Sequence, residues 1–286
     1  MGALATAELA RAFGTRAVVG GTTWERRVVD ALPGPRTLAE IDGATRLGDL
    51  VALAGPGTTG PGGFAFAESR VAGVLGEPTV LVDPSGGPGA VGAGLAAALE
   101  RLECDAVAMV DVGGDALAHG DEAGLASPLC DAVLLAATDR LRAAGIPCAL
   151  GVFGVGCDGE LTPEEVLERI GEVAAGGGLL GAWGLTPAAV RRLGAAVAAV
   201  PTEASAAALR CARGERGSLA IRGGRRTVRL TAAGALTFYL DPEAAMATAA
   251  RLAAAVRGAP DLEAAHDRLA ELGVRSELDL EREAAS

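Results

Sequence analysis

The sequence predicts an α/β fold, with a doubly wound and mostly parallel sheet followed by a C-terminal hairpin and helices. The chain has 286 residues, 50% of them hydrophobic, which is enough to bury one large core. Short apolar runs alternate with longer Ala- and Leu-rich stretches of helical period, as in parallel strands covered by helices. The predicted strands lie at 16–20, 50–54, 79–83, 106–111 and 148–153.

Two helices have clear start signals in the sequence. Ser127, followed by proline at the first helical position, predicts a helix over 128–144, with glycine and proline beyond its end. Thr162 and Glu165 form a capping box that begins a predicted helix over 163–174. Both helices therefore start just after acidic, glycine-rich segments.

The last third of the chain predicts a different pattern. Residues 176–213 are mostly of helical composition, two short apolar runs around 223–224 predict a hairpin, and 237–242 (TFYLDP) ends one more strand. Two helices are predicted for the C-terminal stretch. We therefore predict an α/β domain over 1–241 and a helical appendage over 242–286 that packs on the same domain.

Composition excludes several classes of function. The net charge of −11 argues against a nucleic acid or an anionic membrane surface as partner, because no basic stretch offers counterion release. The chain contains no lysine, which excludes Schiff-base chemistry, pyridoxal-phosphate attachment and a Walker A loop. A small-molecule substrate remains, and a homo-oligomer is possible.

The cysteines and the hydropathy pattern predict a cytoplasmic protein. Five cysteines without CxxC spacing argue against a disulfide framework or a structural zinc site. The N-terminal segment shows no secretion leader, and no window approaches eighteen uninterrupted apolar residues.

The segment 111–131 (DVGGDALAHGDEAGLASPLCD) is the strongest indication of a functional site. It follows an apolar run and contains five acidic residues, one histidine and four glycines. Acidic residues and glycines do not build a core, so their concentration where a strand should end favours a site.

Acidic or glycine-rich segments at 83–94, 111–131 and 154–161 all follow predicted strands, and ligands of parallel sheets bind at such strand ends. Clustered carboxylates suit Mg²⁺ or Mn²⁺. We expect one crevice to be lined by Asp83, Asp111, Asp115, Asp121, Glu122, Asp158 and Glu160. The predicted metal ligands are Asp111, Asp115, Asp158 and Glu160, and the predicted catalytic residues are Asp115, His119, Asp121 and Glu122.

Gly87, Gly89 and Gly92 match the GxGxxG pattern after a strand and before a helix. A phosphate cradle at the helix N-terminus is one interpretation. NAD(P) binding is the alternative, with Asp111 near the spacing of an acid that contacts ribose hydroxyls. Residues 83–86 stretch the loop before the first glycine, whereas the dinucleotide turn is tight.

Structural explanations compete with each of these functional ones. Asp in glycine-rich loops caps turns through its own side chain, and His119 has the features of a solvated loop histidine. Cys130 and Cys157 are explained by default as small buried hydrophobes, with a reactive thiol as the alternative. Arg226 and its neighbours in the predicted hairpin are typical of a solvated strand face.

Three segments together resemble a prokaryotic family known only as a domain of unknown function: TTWERRVVD at 22–30, DVGGDALAHGDEAGLASPLCDA at 111–132 and GVGCDGELTPEEVL at 154–167. The resemblance supplies no activity. It implies an N-terminal strand followed by a GGGGD-type loop and a helix, of which residues 1–4 look like the loop's end. We therefore expect this chain to lack that strand and its glycines.

These observations favour a divalent-metal-dependent enzyme that acts on a small phosphorylated or nucleotide-like substrate, with hydrolysis, lyase chemistry and group transfer all open. The first alternative is an NAD(P)-dependent oxidoreductase of Rossmann type. The second is a non-catalytic ligand-binding or assembly protein, in which an Ala- and Leu-rich helical surface near 186–210 supplies an interface.

Overall fold

A computed structural model describes all residues from 1 to 286. The predicted α/β class is confirmed, since helices and strands are interleaved in open, mixed sheets. The strands are β1 (Gly20–Thr22), β2 (Thr45–Arg46), β3 (Val51–Ala54), β4 (Thr79–Val82), β5 (Val107–Val112), β6 (Cys148–Phe153), β7 (Leu179–Gly184), β8 (Gly217–Ile221), β9 (Arg226–Leu230) and β10 (Leu236–Leu240).

Eleven α-helices accompany these strands, and none of them has the length and apolar character that crossing a membrane requires. The helices are α1 (Gly2–Ala12), α2 (Ala67–Leu75), α3 (Gly87–Leu102), α4 (Pro128–Ala143), α5 (Pro163–Ala175), α6 (Pro187–Ala199), α7 (Glu203–Ala212), α8 (Pro242–Ala247), α9 (Arg251–Val256), α10 (Leu262–Glu271) and α11 (Glu277–Ala285).

The strands are distributed over three sheets rather than one. The first has the order β1-β4-β3-β2, in which β1 and β4 are parallel and the other neighbours antiparallel. The second has the order β5-β6-β10-β7, with β10 antiparallel to both of its neighbours. The third is the hairpin β8–β9, which confirms the turn expected around 223–224. Apolar runs show where strands lie, but they carry no information on strand direction.

Two compact units share these elements. One contains residues 1–17, 108–125 and 149–252, and the other contains 18–107, 126–148 and 253–286. The first unit includes the second sheet and the hairpin, and the second unit includes the first sheet. Compactness in space does not test the predicted division between residues 241 and 242, which stays a prediction.

Local sequence signals correctly predicted the positions of several elements. Pro128 starts α4, and Thr162 with Glu165 forms the expected capping box at α5, where the Glu165 backbone N–H donates to Thr162 Oγ1 over 3.2 Å. Strand β6 has the predicted bounds, whereas β1 begins four residues later than the predicted strand at 16–20. Residues 2–4, expected to end a loop, form the first turn of α1.

Other elements were predicted wrongly from the sequence. Residues 179–184 form β7 inside a region predicted to be mostly helical, and the C-terminal region contains four helices instead of two. The run LLGAWG carries no periodic pattern that marks it as a strand. It forms β7 through its pairing with β10, which follows more than fifty residues later in the chain. Tertiary pairing thus overrides local composition here.

Glu281 on α11 holds the N-terminal part of the second unit. Its carboxylate oxygens accept hydrogen bonds from Trp24 Nε1, over 3.1 and 3.2 Å, and from the backbone N–H of Gly34, over 2.8 Å. The residue is only 9% exposed. The tryptophan of the TTWER segment is therefore anchored by the last helix of the chain.

We predict that Glu281→Ala lowers the free energy of unfolding by about 1–3 kcal/mol, because two buried N–H donors lose a charged acceptor. Urea denaturation measures the change. Glu283→Ala is the matched control, since Glu283 pairs with Arg275 at the surface and such pairs contribute about 0–1 kcal/mol. Equal effects of the two substitutions would contradict the anchoring role of Glu281.

Candidate functional site

Four carboxylic acid side chains from two loops form a buried cluster in the first unit. Asp111 lies in β5, and Asp115 begins a short 3-10 helix just after that strand. Asp158 and Glu160 lie in the loop between β6 and α5. The exposed fraction of each of these residues is 4–6%. The four residues predicted as metal ligands are therefore adjacent and almost fully removed from solvent.

Glycines make room for the cluster. Gly113 has a φ of +131°, and a Cβ atom there would lie 2.2 Å from Cγ of Asp158. The Gly113 backbone donates to the carbonyl of Phe153 over 2.9 Å and accepts from the N–H of Gly156 over 2.8 Å. A Cβ at Gly124 would lie 2.4 Å from the carbonyl oxygen of Glu160. The glycines of the 111–131 segment thus let two loop backbones approach closely.

Hydrogen bonds satisfy only part of the cluster. Asp111 Oδ2 accepts from the Ala116 N–H over 3.3 Å, and Asp158 Oδ2 accepts from the Glu160 N–H over 3.2 Å. The other oxygen of Asp158, Oδ1, is buried and has no hydrogen-bond partner. A buried carboxylate oxygen without a partner is costly, so this atom requires an explanation.

One basic side chain contacts the cluster. Arg226, at the start of β9, donates from Nη1 to Glu160 Oε1 over 3.0 Å and to the carbonyl oxygen of Asp158 over 3.2 Å. Its side chain is 20% exposed, whereas that of Glu160 is 2% exposed. Arg226 therefore connects the buried carboxylates with solvent.

Burial and mutual repulsion shift the pKa values of the cluster. Burial raises the pKa of Asp111 to about 6, against hydrogen bonds from the Ala116 N–H and the Asp115 side chain. Burial, followed by the charges of Glu160 and Asp111, also raises the pKa of Asp158 well above its usual value. Both shifts follow from placing like charges together outside water.

The spacing of three of these acids suits a cation. One carboxylate oxygen from each of Asp115, Asp158 and Glu160 lies within 4.8 Å of the other two. Ligand oxygens at about 2.1 Å from Mg²⁺ lie about 3.0 Å apart when cis and about 4.2 Å apart when trans, so the three side chains would close around the ion. All three residues were predicted ligands, and the fourth predicted ligand, Asp111, hydrogen-bonds Asp115.

The other predicted catalytic residues form a separate polar network. Glu122 accepts from the backbone N–H groups of His119 and Gly120, over 2.9 and 2.8 Å, and from Arg169 Nη2 over 3.3 Å. His119 Nε2 lies 3.0 Å from Glu172 Oε2. Although burial opposes it, these hydrogen bonds lower the pKa of Glu122. Catalysis by His119, Glu122 and the exposed Asp121 stays a prediction.

The glycines of the GxGxxG pattern lie in the second unit, at the start of α3. A Cβ at Gly87 would lie 2.8 Å from the Asp261 backbone, and one at Gly92 would lie 2.5 Å from the Ala137 carbonyl oxygen, whereas Gly89 faces open space. Close backbone packing thus accounts for two of the three glycines. Their role in binding phosphate stays a prediction. Asp83, expected in the same crevice as the other acids, belongs to this second unit and accepts from the Ser85 N–H over 2.9 Å.

Sequence reasoning missed Arg226, which was interpreted as part of a solvated strand face. Its neighbour Arg229 does fit that interpretation, because it pairs with Glu164 at the surface. Only the packing of the hairpin against the Asp158 loop distinguishes the two arginines, and no local pattern encodes that packing.

The fold and the site define an α/β protein with a buried centre of carboxylic acids. The chain matches the family model described as Protein of unknown function (DUF1152) over residues 1–285, and it belongs to that family. The resemblance inferred from the three sequence segments is thereby confirmed. Comparison with curated proteins and with solved structures finds no match.

We predict that Gly113→Ala lowers the free energy of unfolding by at least about 2 kcal/mol, because the new Cβ would overlap Asp158 and the residue has a positive φ. Thermal or urea denaturation measures the loss. Gly171→Ala, in α5, is the control: open space surrounds its Cβ position, and alanine in a helix interior is favoured by about 1 kcal/mol. A neutral Gly113→Ala variant would contradict the close approach of Asp158.

The raised pKa of Asp111 predicts a pH dependence of stability in the metal-free protein. Between about pH 4 and pH 6 the folded state binds more protons at this group than the unfolded state, so the free energy of unfolding falls as the pH rises. At about 1.4 kcal/mol per pKa unit, the loss is on the order of 3 kcal/mol.

Urea denaturation in EDTA from pH 4 to pH 7.5 measures this dependence, and Asp111→Asn should reduce its slope, leaving the part that Asp158 contributes. The exposed Asp121→Asn serves as control and should leave the slope as in the wild type. A slope that survives unchanged in Asp111→Asn would contradict the assignment.

Proposed function

We propose that this protein is a divalent-metal-dependent enzyme whose cation binds Asp115, Asp158 and Glu160, and that its substrate is a small phosphorylated or nucleotide-like molecule. The observation that carries the proposal is the unpartnered Oδ1 of Asp158. This atom belongs to a 5% exposed residue and lies among carboxylates that repel it. A divalent cation would supply its missing partner.

The electrostatic balance of the cluster supports a cation. Four carboxyl groups share the site, and Arg226 contributes one positive charge that already contacts Glu160. Burying unpaired carboxylates costs several kcal/mol each, which is why such groups in proteins are paired or coordinate metals. Mg²⁺ and Mn²⁺ prefer carboxylate oxygens, and neither needs the lysine or the CxxC spacing that this chain lacks.

The cation and Arg226 would define the substrate class. Mg²⁺ usually binds through one or two carboxylates together with substrate phosphates, and it polarises a phosphoryl oxygen as a Lewis acid. The partly exposed guanidinium of Arg226 would meet a second anionic oxygen. Asp111, hydrogen-bonded to Asp115, would act as a positioning residue that orients one ligand carboxylate.

The NAD(P) alternative lacks a comparable observation. A dinucleotide fold requires the strands before and after the glycine-rich helix to lie in one sheet. Here β4 and β5, which flank α3, lie in different sheets. We therefore favour the metal-dependent hydrolase, lyase or transferase over the oxidoreductase.

The decisive test measures Mn²⁺ and Mg²⁺ binding at pH 7.5 by isothermal titration and by the shift in melting temperature. In the wild type, a cation at a hundredfold excess over its Kd should stabilise the fold by about 2.7 kcal/mol. Asp158→Asn should abolish this gain, and it should make the metal-free protein more stable because a like charge is removed. Glu168→Gln, an exposed acid of α5 in the same unit, should bind as the wild type does.

No cation-dependent stabilisation in a folded wild type, or full stabilisation in Asp158→Asn, would overturn the proposal. If the cation binds, a panel of phosphate esters and nucleotides assayed with and without Mn²⁺ tests the substrate class. Turnover that survives EDTA would contradict a metal-dependent reaction.

A further inference from the structure

Two cysteines are in contact beside the proposed cation site. Cys157 directly precedes Asp158, and Cys211 lies in the last turn of α7. Both residues are buried and reduced, and their thiols are hydrogen-bonded to each other. The backbone of Gly234 lies against both, since a Cβ there would be 2.7 Å from Cys211 Sγ and 3.0 Å from Cys157 Sγ. Both sulfur atoms therefore lie against the same short stretch of backbone.

We propose that Cys157 and Cys211 form a reversible disulfide on reaction with hydrogen peroxide or a small organic hydroperoxide, and that this disulfide weakens cation binding at Asp158. The disulfide stands on the contact between the two thiols alone. Its effect on the cation rests on the proposed function. The proposed disulfide is intramolecular, so both the disulfide and its effect on the cation concern a single chain.

The fold favours Cys211 as the thiol that reacts first. Both residues are buried, and only Cys211 retains any solvent-accessible surface, 3% of the residue. The hydrogen bond from Cys157, followed by the Thr231 backbone and the Arg216 charge, lowers the pKa of Cys211 to about 7, against burial. A lowered thiol pKa provides the thiolate that attacks peroxides.

The reaction balances with one peroxide. The Cys211 sulfur attacks the terminal peroxide oxygen, an S–O bond forms, the O–O bond breaks, and the leaving hydroxide or alkoxide is protonated to water or to an alcohol. The Cys157 sulfur then attacks the resulting sulfenic acid, the S–S bond forms, the S–O bond breaks, and the Cys157 thiol proton leaves in a water molecule. Two sulfur atoms are oxidised and two peroxide oxygens are reduced.

Closing the bond must displace the Asp158 loop. A disulfide holds its sulfur atoms about 2.05 Å apart, which is much closer than a thiol–thiol hydrogen bond. Cys211 belongs to a helix, whereas Cys157 lies in the loop between β6 and α5, so the loop is the part that yields. Asp158 is the next residue, and its side chain already lies against Gly113 without free space. Movement of Cys157 therefore shifts a proposed ligand.

The test treats the reduced, full-length protein with hydrogen peroxide in EDTA, alkylates the free thiols, and maps the cysteine peptides by mass spectrometry. We expect a Cys157–Cys211 peptide that dithiothreitol reverses, while Cys104 and Cys148 stay alkylated as internal controls. In Cys157→Ala, Cys211 should accumulate sulfenic acid that dimedone traps, whereas Cys211→Ala should yield no disulfide at Cys157. Circular dichroism verifies that each variant is folded.

The same samples, after removal of EDTA, are titrated with Mn²⁺. We expect the oxidised wild type to bind at least threefold more weakly than the reduced protein, and Cys211→Ala to be unaffected by peroxide. Absence of the linked peptide when other cysteines are oxidised would overturn the modification site. Unchanged Mn²⁺ affinity in fully linked protein would overturn its regulatory effect. Disulfide formation in a protein that binds no Mn²⁺ when reduced would sink the proposed function and leave the modification site standing.

Discussion

The centre of the first unit depends on four carboxylic acids that share a volume from which water is excluded. Asp111, Asp115, Asp158 and Glu160 repel one another, and burial raises the pKa of Asp111 and Asp158. A folded chain tolerates such a group by protonating it, by pairing it with a cation or by both. Arg226 reaches Glu160 and leaves the Oδ1 atom of Asp158 without a partner. Both loops combine acidic residues with glycines, and this composition maintains the arrangement. Packing alone would not require it.

The two loops show how the backbone meets that constraint. Because Gly113 has no side chain, the Asp158 side chain lies directly over the junction between β5 and the following loop. The N–H and C=O groups of Gly113 are hydrogen-bonded to Phe153 and Gly156. A side chain at residue 113 would separate the loops and expose the acids to water. The capping box of Thr162 and Glu165 then begins α5 immediately after the second loop, so it sets where that loop ends. Preorganisation of this kind is what a metal centre needs from its surrounding shell.

The parts of this fold that were predictable are those encoded within a few residues. The start of α4 at Pro128, the capping box at Thr162 and the hairpin near residues 223–224 each depend on local backbone chemistry, and each was found as expected. Strand β7 was missed because LLGAWG becomes a strand only through its pairing with β10. The division of the strands into separate mixed sheets was equally out of reach, since strand direction is decided by which partners meet in the folded chain.

The same distinction separates the predictable from the unpredictable part of the candidate site. The acids stand out because polar residues are concentrated where two strands end, and the adjacency of β5 and β6 brings Asp115 and Asp158 together as expected. Arg226 lies sixty-six residues beyond Glu160, it is one of four arginines of the same hairpin, and only folding selects it. Cys211 likewise meets Cys157 across more than fifty residues. Long-range contacts of this kind decide which partners a buried charge or thiol acquires, and so they decide the chemistry of a cluster whose carboxylic acids stand out in the sequence.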